Sequence, residues 1–167
     1  MDDAIFKRVS IREFTDQGVT DDEVDRLMRA AMAAPSAGNQ QPWEFVVTRS
    51  ADVRKRLSEC SPFAKPAERA PLVILACMRT EGLRFQPCAP LDMSAAIENI
   101  LLEATSMGLG TVWMTLYPDD DRMAAAAKVA ATPDGVQPFA LIAVGHARDD
   151  VPPRSASRYE PERVRWM

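Results

Sequence analysis

The sequence predicts one domain of mixed α and β structure, and three features carry that expectation. Thr20-Asp21-Asp22-Glu23 has the form of a capping box, in which a threonine oxygen takes an orphan amide and a glutamate three residues on reaches back. Leu72 to Met78 and Phe139 to Val144 are apolar runs of strand length, well short of the roughly 20 residues that cross a bilayer. Asp92 to Met107 is longer and apolar nearly all round, which suits a helix buried on more than one side. The length of 167 residues fits a single unit, since domains commonly run roughly 100–200 residues, and residues 1–167 are read as one.

Taken in order, Asp2 to Val9 reads as a short helix leading into Arg8-Val9-Ser10-Ile11-Arg12-Glu13-Phe14. A second helix starts at the Thr20 box. Val24, Leu27, Met28 and Ala31 follow at i, i+3, i+4 and i+7, forming one apolar face, and Pro35 ends the segment. Ala34-Pro35-Ser36-Ala37-Gly38-Asn39-Gln40-Gln41-Pro42-Trp43 is then a polar turn entering the aromatic and β-branched strand Trp43 to Thr48, with Trp43 as a core anchor. Asp52 to Cys60 is a short helix, and Leu72 to Cys77 a strand buried on both faces. Gly108 stops the central helix. Thr111 to Leu116 is a third strand, Asp119 to Ala131 an alanine-rich helix with an acidic first turn, and Phe139 to Val144 a fourth strand. From about residue 146 the prolines 152, 153 and 161 and five arginines predict an extended arm without a core of its own.

Composition narrows the function classes. Hydrophobic residues at 47% and charged residues at 26% are ordinary for a globular protein, so neither disorder nor membrane insertion is expected. A net charge of −4 and a pI near 5.1 argue against a nucleic-acid surface and make the basic residues at the two ends local features. Met1-Asp2-Asp3-Ala4 lacks the basic and apolar regions of a secretory signal, so a cytoplasmic location is expected. Cys60, Cys77 and Cys88 make no even disulfide framework, and one histidine cannot anchor most metal sites, so reduced thiols and no metal are expected. Cys77, inside an apolar strand, reads as an inert thiol, and His146, after Gly145, as a loop residue rather than a base.

Arg8 to Arg12 packs two guanidinium groups and a hydroxyl into five residues, which suits a phosphate or an electron-rich ring edge. Read alone, these residues are a solvated helix end, and Pro35 to Pro42 is a plain helix stop and loop. Their conjunction, in this order with a short helix between, resembles the opening of the nitroreductase family of FMN-dependent oxidoreductases. The resemblance continues through Asp92-Met93-Ser94-Ala95-Ala96-Ile97-Glu98-Asn99-Ile100-Leu101-Leu102-Glu103-Ala104, Gly108-Leu109-Gly110-Thr111-Val112-Trp113-Met114, Ala143-Val144-Gly145 and Arg158-Tyr159, and so covers nearly the whole chain.

That resemblance implies an α+β fold with a mostly antiparallel central sheet flanked by helices, an intertwined homodimer, and an FMN in each of two clefts at the subunit interface. Arg8 and Ser10, with Val9 between them, match positions that usually hold the phosphate. Arg12 matches the basic position at the pyrimidine edge of the ring, where it would stabilise the reduced form electrostatically, with no general acid or base assigned. Pro35, Ser36, Ala37 and Asn39 match residues that usually reach the flavin of the neighbouring subunit. Met114 and Thr115 match the segment whose backbone passes the reactive nitrogen, although related sequences often place glycine where Thr115 stands. Arg154 and Arg158 match tail residues that often close over the phosphate. At Phe63-Ala64-Lys65 the chain departs from longer relatives, which offer an amide or lysine to the pyrimidine edge, and no contact is carried over.

The activity implied is a ping-pong transfer of hydride from NADH or NADPH, through FMN, to a small electron-poor acceptor such as a nitroaromatic or quinone. The short connection from Arg79 to Leu91 implies an open cleft. Three alternatives stand beside it: a related flavin reaction such as dehalogenation or breakdown of the flavin, a flavin-binding or regulatory dimer without turnover, and a small α/β ligand-binding module whose likeness is coincidental.

Overall fold

Four strands, β1 (Trp43–Thr48), β2 (Leu72–Arg79), β3 (Gly110–Thr115) and β4 (Val136–Gly145), form one antiparallel sheet in the order β1-β2-β4-β3. The structure, a computed structural model, describes residues 4–148 and 159–167. The central pair is the most deeply buried, with Leu72 to Cys77 and Ala140 to Val144 fully inaccessible to solvent. Side chains alternate across the pleat. Leu72, Ile74 and Ala76 enter one apolar cluster with Ile142, and Val73, Leu75 and Cys77 enter another with Leu141 and Ala143.

Helices α2 (Asp21–Met32) and α5 (Ala89–Ser106) cover the first face, while α3 (Ala51–Ser58), α4 (Pro66–Arg69) and α6 (Asp120–Ala130) cover the second. The Thr20 capping box forms as the sequence predicts: Glu23 N–H donates to Thr20 Oγ1 at 3.2 Å, and Thr20 N–H donates to the Glu23 carboxylate at 2.7 Å. Leu27 and Ala31 are the buried centre of the expected apolar face, with Val24 and Met28 packed at its margin. Two further capping side chains, Ser50 and Asp119, start α3 and α6 by accepting from Val53 and Arg122 amides.

Boundaries differ from expectation where helix ends are set by contacts rather than by pattern. The first helix, α1, is shorter than Asp2 to Val9 and spans Ala4–Lys7 within the described residues. The central helix begins three residues before Asp92, because Pro90 fits the first turn, where its missing N–H costs nothing. Its buried side includes Met93, Ala96, Ile97, Ile100 and Ala104, whereas Leu91 remains 70% exposed. Arg154 and Arg158, with the rest of residues 149–158 of the expected arm, lie outside the described residues. Among the described residues no helix is long and apolar enough to cross a membrane.

Candidate functional site

β3 is an edge strand, and the Arg8 to Arg12 stretch lies along its open side. Ser10 pairs with Thr111 in parallel fashion, and Ile11 N–H donates to Thr111 O at 2.8 Å. Further along, Phe14 pairs with Ala147 and Thr15 N–H donates to His146 O at 2.9 Å. Gly110 makes this approach possible, since a Cβ there would stand 2.8 Å from three atoms of the Ile11 side chain. Thr111 O thus points away from β4. Antiparallel ladders alternate, so the amides of Trp113 and Thr115 share that outward edge, while those of Val112 and Met114 turn toward β4. Leu116 N–H donating to Phe139 O at 3.1 Å keeps the same alternation.

Beyond Ile11 the outward edge opens into a cavity of about 440 Å³, whose walls include Arg12, Phe63, Trp113, Met114, Thr115 and Arg122. Arg12 is exposed, and its Nη1 lies 3.5 Å from Ser10 O, too far for a strong bond. Arg122 is more tightly held: its guanidinium carbon lies 5.4 Å from the Phe63 ring centroid, and its Nε 2.9 Å from Asp119 Oδ2. Among the described residues, Thr111 Oγ1 and Trp113 Nε1 are buried atoms without a hydrogen-bond partner. Their side chains leave the sheet on one face, where the Trp113 ring packs 6.4 Å from that of Phe139, away from the cavity.

The structure therefore gathers Arg12, Met114 and Thr115 at one cavity, though Met114 contributes from a largely buried position, 4% exposed. Arg8 and Ser10 sit upstream on the same stretch. Arg8 Nε lies 3.6 Å from Glu98 Oε1 in the middle of α5, and Ser10 is exposed.

Pro35, Ser36, Ala37 and Asn39 lie elsewhere, at the start of α5. Asp92, only 6% exposed, accepts from Ala37 N–H at 2.9 Å and from Gln40 Nε2 at 2.7 Å. Gln40 also exchanges bonds with Phe85, and Ser36 Oγ accepts from Gln41 N–H at 3.0 Å. The turn passes through Gly38 at φ +56, where a Cβ would press to 2.6 Å from the Phe85 ring. Pro35 and Asn39 stay exposed on its outer side. Asp92 and Glu98 are six residues apart on one helix, or about 9 Å of rise and about 240° of rotation. The two stretches consequently meet α5 on different faces.

Sequence reasoning missed Asp92, Glu98 and Arg122. A carboxylate in the first turn of an otherwise apolar helix was a usable signal for Asp92; Arg122 had none, since its place depends on Phe63 from a distant segment. The thiols stand apart from this cavity. Burial pushes Cys77 up to about 12 and raises Cys60 as well, so both are poor nucleophiles. A separate cavity of about 320 Å³, between Asp120, Met123 and Gln137, takes none of the residues singled out.

Comparison with known proteins identifies the fold. The nitroreductase family model matches residues 5–61 and 62–146. A protein of Archaeoglobus fulgidus, provisionally named NADH dehydrogenase/NAD(P)H nitroreductase, is 35% identical over 96% of this chain and 93% of its own length. The crystal structure of a provisionally assigned NADH oxidase from Clostridium acetobutylicum is 36% identical, covers 98% of each chain and superposes with a TM-score of 0.93. An FMN-dependent nitroreductase of Clostridium difficile is 25% identical over 99% of this chain and 98% of its own, with a TM-score of 0.89. The chain belongs to the nitroreductase family.

Proposed function

We propose that this chain is an FMN-dependent oxidoreductase that takes hydride from NADH or NADPH and delivers it, in a ping-pong cycle, to an electron-poor acceptor such as a nitroaromatic or quinone. The observation that carries the reading is the cavity at the β3 edge, where the Arg12 side chain and the outward Thr115 amide share a space. The donor set fits a flavin ring edge: guanidinium groups and an outward backbone amide meet a ring whose edge is rich in acceptors. Bound FMN supplies the hydride chemistry itself.

The protein's part is binding and orientation. Arg8 and Ser10, with Val9 between them, hold the phosphate, and a phosphate dianion would displace Glu98 from its loose 3.6 Å pairing with Arg8. Arg12 stabilises negative charge at the pyrimidine edge. The Thr115 amide, rather than that of Met114, points at the reactive edge, because the Met114 amide faces β4. Arg154 and Arg158 close over the phosphate.

We place Pro35, Ser36, Ala37 and Asn39 against the flavin of a second subunit. Their separation from Arg8 around α5 supports that assignment, as do the exposed apolar side chains Phe6, Met32 and Leu91, which a homodimer would cover. Residues 1–167 act as one cytoplasmic unit in this reading.

The deciding experiment is the visible spectrum of the purified protein before and after anaerobic NADH, then NADPH. A yellow protein that bleaches with either nucleotide is expected. Yellow without bleaching would leave a flavin-binding protein without turnover, and a colourless protein that FMN cannot reconstitute would remove the proposal.

A further inference from the structure

Arg122, in the first turn of α6, brings a second guanidinium to the cavity that Arg12 lines. Its position is built rather than incidental. One face of the guanidinium stacks over Phe63 at 5.4 Å, and Nε is tied to Asp119 Oδ2 at 2.9 Å, which leaves the terminal nitrogens with donors to spare. Phe63 is 68% exposed, so its ring and the guanidinium stacked on it stand at the cavity rim. Lys65, its neighbour, is exposed at the start of α4 and is not part of the cavity wall. Among the described residues no carboxylate lines the cavity, so a chain of net charge −4 presents a locally cationic site there.

We infer that Arg122 is a second flavin-contacting cation, which acts with Arg12 to hold the negatively charged reduced form more tightly than the neutral oxidised ring. The inference rests on the FMN reading above and adds a residue to it. The Phe63 segment then contributes to the ring edge indirectly: it places no charge in the cavity wall but fixes one that comes from α6. The α6 cap does not depend on the Arg122 side chain, since Asp119 Oδ1 accepts from the Arg122 backbone amide at 3.1 Å. Replacing the guanidinium therefore separates charge from helix structure. The nearby Asp119 carboxylate offsets part of the charge, so Arg122 contributes less than Arg12.

The test is anaerobic potentiometry on FMN-reconstituted wild type, Arg122→Gln, Arg122→Lys and Arg12→Gln, together with the dissociation constant of oxidised FMN. Arg122→Gln is expected to lower the preference for reduced over oxidised flavin by about tenfold, equivalent to about 30 mV for a two-electron couple. Arg122→Lys should retain most of that preference, and Arg12→Gln should lose more. A midpoint potential in Arg122→Gln equal to wild type overturns the inference, even if the KM for an anionic acceptor rises. Equal losses in the Lys and Gln variants would overturn it too, by assigning the effect to shape. Wild-type protein that takes up no FMN removes the flavin reading and this inference together, whereas an unaltered potential in yellow protein removes this inference alone.

Discussion

The Arg8 to Arg12 stretch and the Pro35 to Trp43 loop both attach to α5, yet they are held in opposite ways. The first is fixed by its backbone, through Ser10 and Ile11 against Thr111, and its charged side chains are left with loose partners at 3.5 Å or more. The second is fixed by side chains, since Asp92, Gln40 and Ser36 spend their polar atoms on the loop itself. Strong hydrogen bonds already made are not free for a ligand. The first stretch accordingly leaves its charges available to a ligand, while the loop presents a rigid outer surface formed by Pro35 and Asn39.

The sharpest way to break this contrast is to remove Asp92. Asp92→Ala leaves the Ala37 amide and the Gln40 amide nitrogen without their acceptor in a part-buried setting, and should cost about 2–4 kcal/mol of stability. The urea midpoint in the absence of FMN reads this directly. A midpoint within error of wild type would mean that the loop is held by something other than its side-chain bonds.

Arg8→Ala should act the other way round. Its ion pair with Glu98 is long and partly exposed, worth about 0–1 kcal/mol, so the urea midpoint without FMN should hardly move. Affinity for FMN should fall by about 1.5–3 kcal/mol, the scale of a hydrogen bond to a charged group, as read by fluorescence titration. Unchanged affinity would return Arg8 to a surface ion pair and erase the distinction between the two regions.

The two regions also differ in how far the sequence discloses them. Capping, periodicity and apolar runs are local signals, and they located α2, β2 and β4 within a few residues because short-range physics decides those elements. Asp119 likewise announced α6 through its acidic neighbours. What pairs with what is not local. The parallel bridge from Ser10 to Thr111 depends on Gly110 having no Cβ, and the stacking of Arg122 on Phe63 joins segments that share no pattern. The candidate cofactor residues were legible as a motif series, whereas Asp92 read only as one more position in an apolar helix. Its role emerges once the loop folds back on it.

The smallest effect lies in α2, which connects the two regions and starts at Thr20. Thr20→Ala removes the oxygen that accepts Glu23 N–H and should cost about 1 kcal/mol of stability, with FMN affinity unchanged if the loop is fixed by Asp92 independently of the helix start. The pH dependence has a defined sign. The Thr20 backbone amide donating to the Glu23 carboxylate holds its pKa below the ordinary 4.5, so the folded state favours the ionised form. That contribution is fully present above the unfolded value and is lost as pH falls through the lowered folded value. Urea midpoints of wild type and Glu23→Gln should therefore differ at pH 7 and converge as pH falls below the lowered folded value, where the carboxylate is protonated in both states. A gap that persisted at low pH would show that the reach-back bond does not depend on charge, and a fall in FMN affinity in Thr20→Ala would show that the helix, and not Asp92 alone, sets the position of the loop.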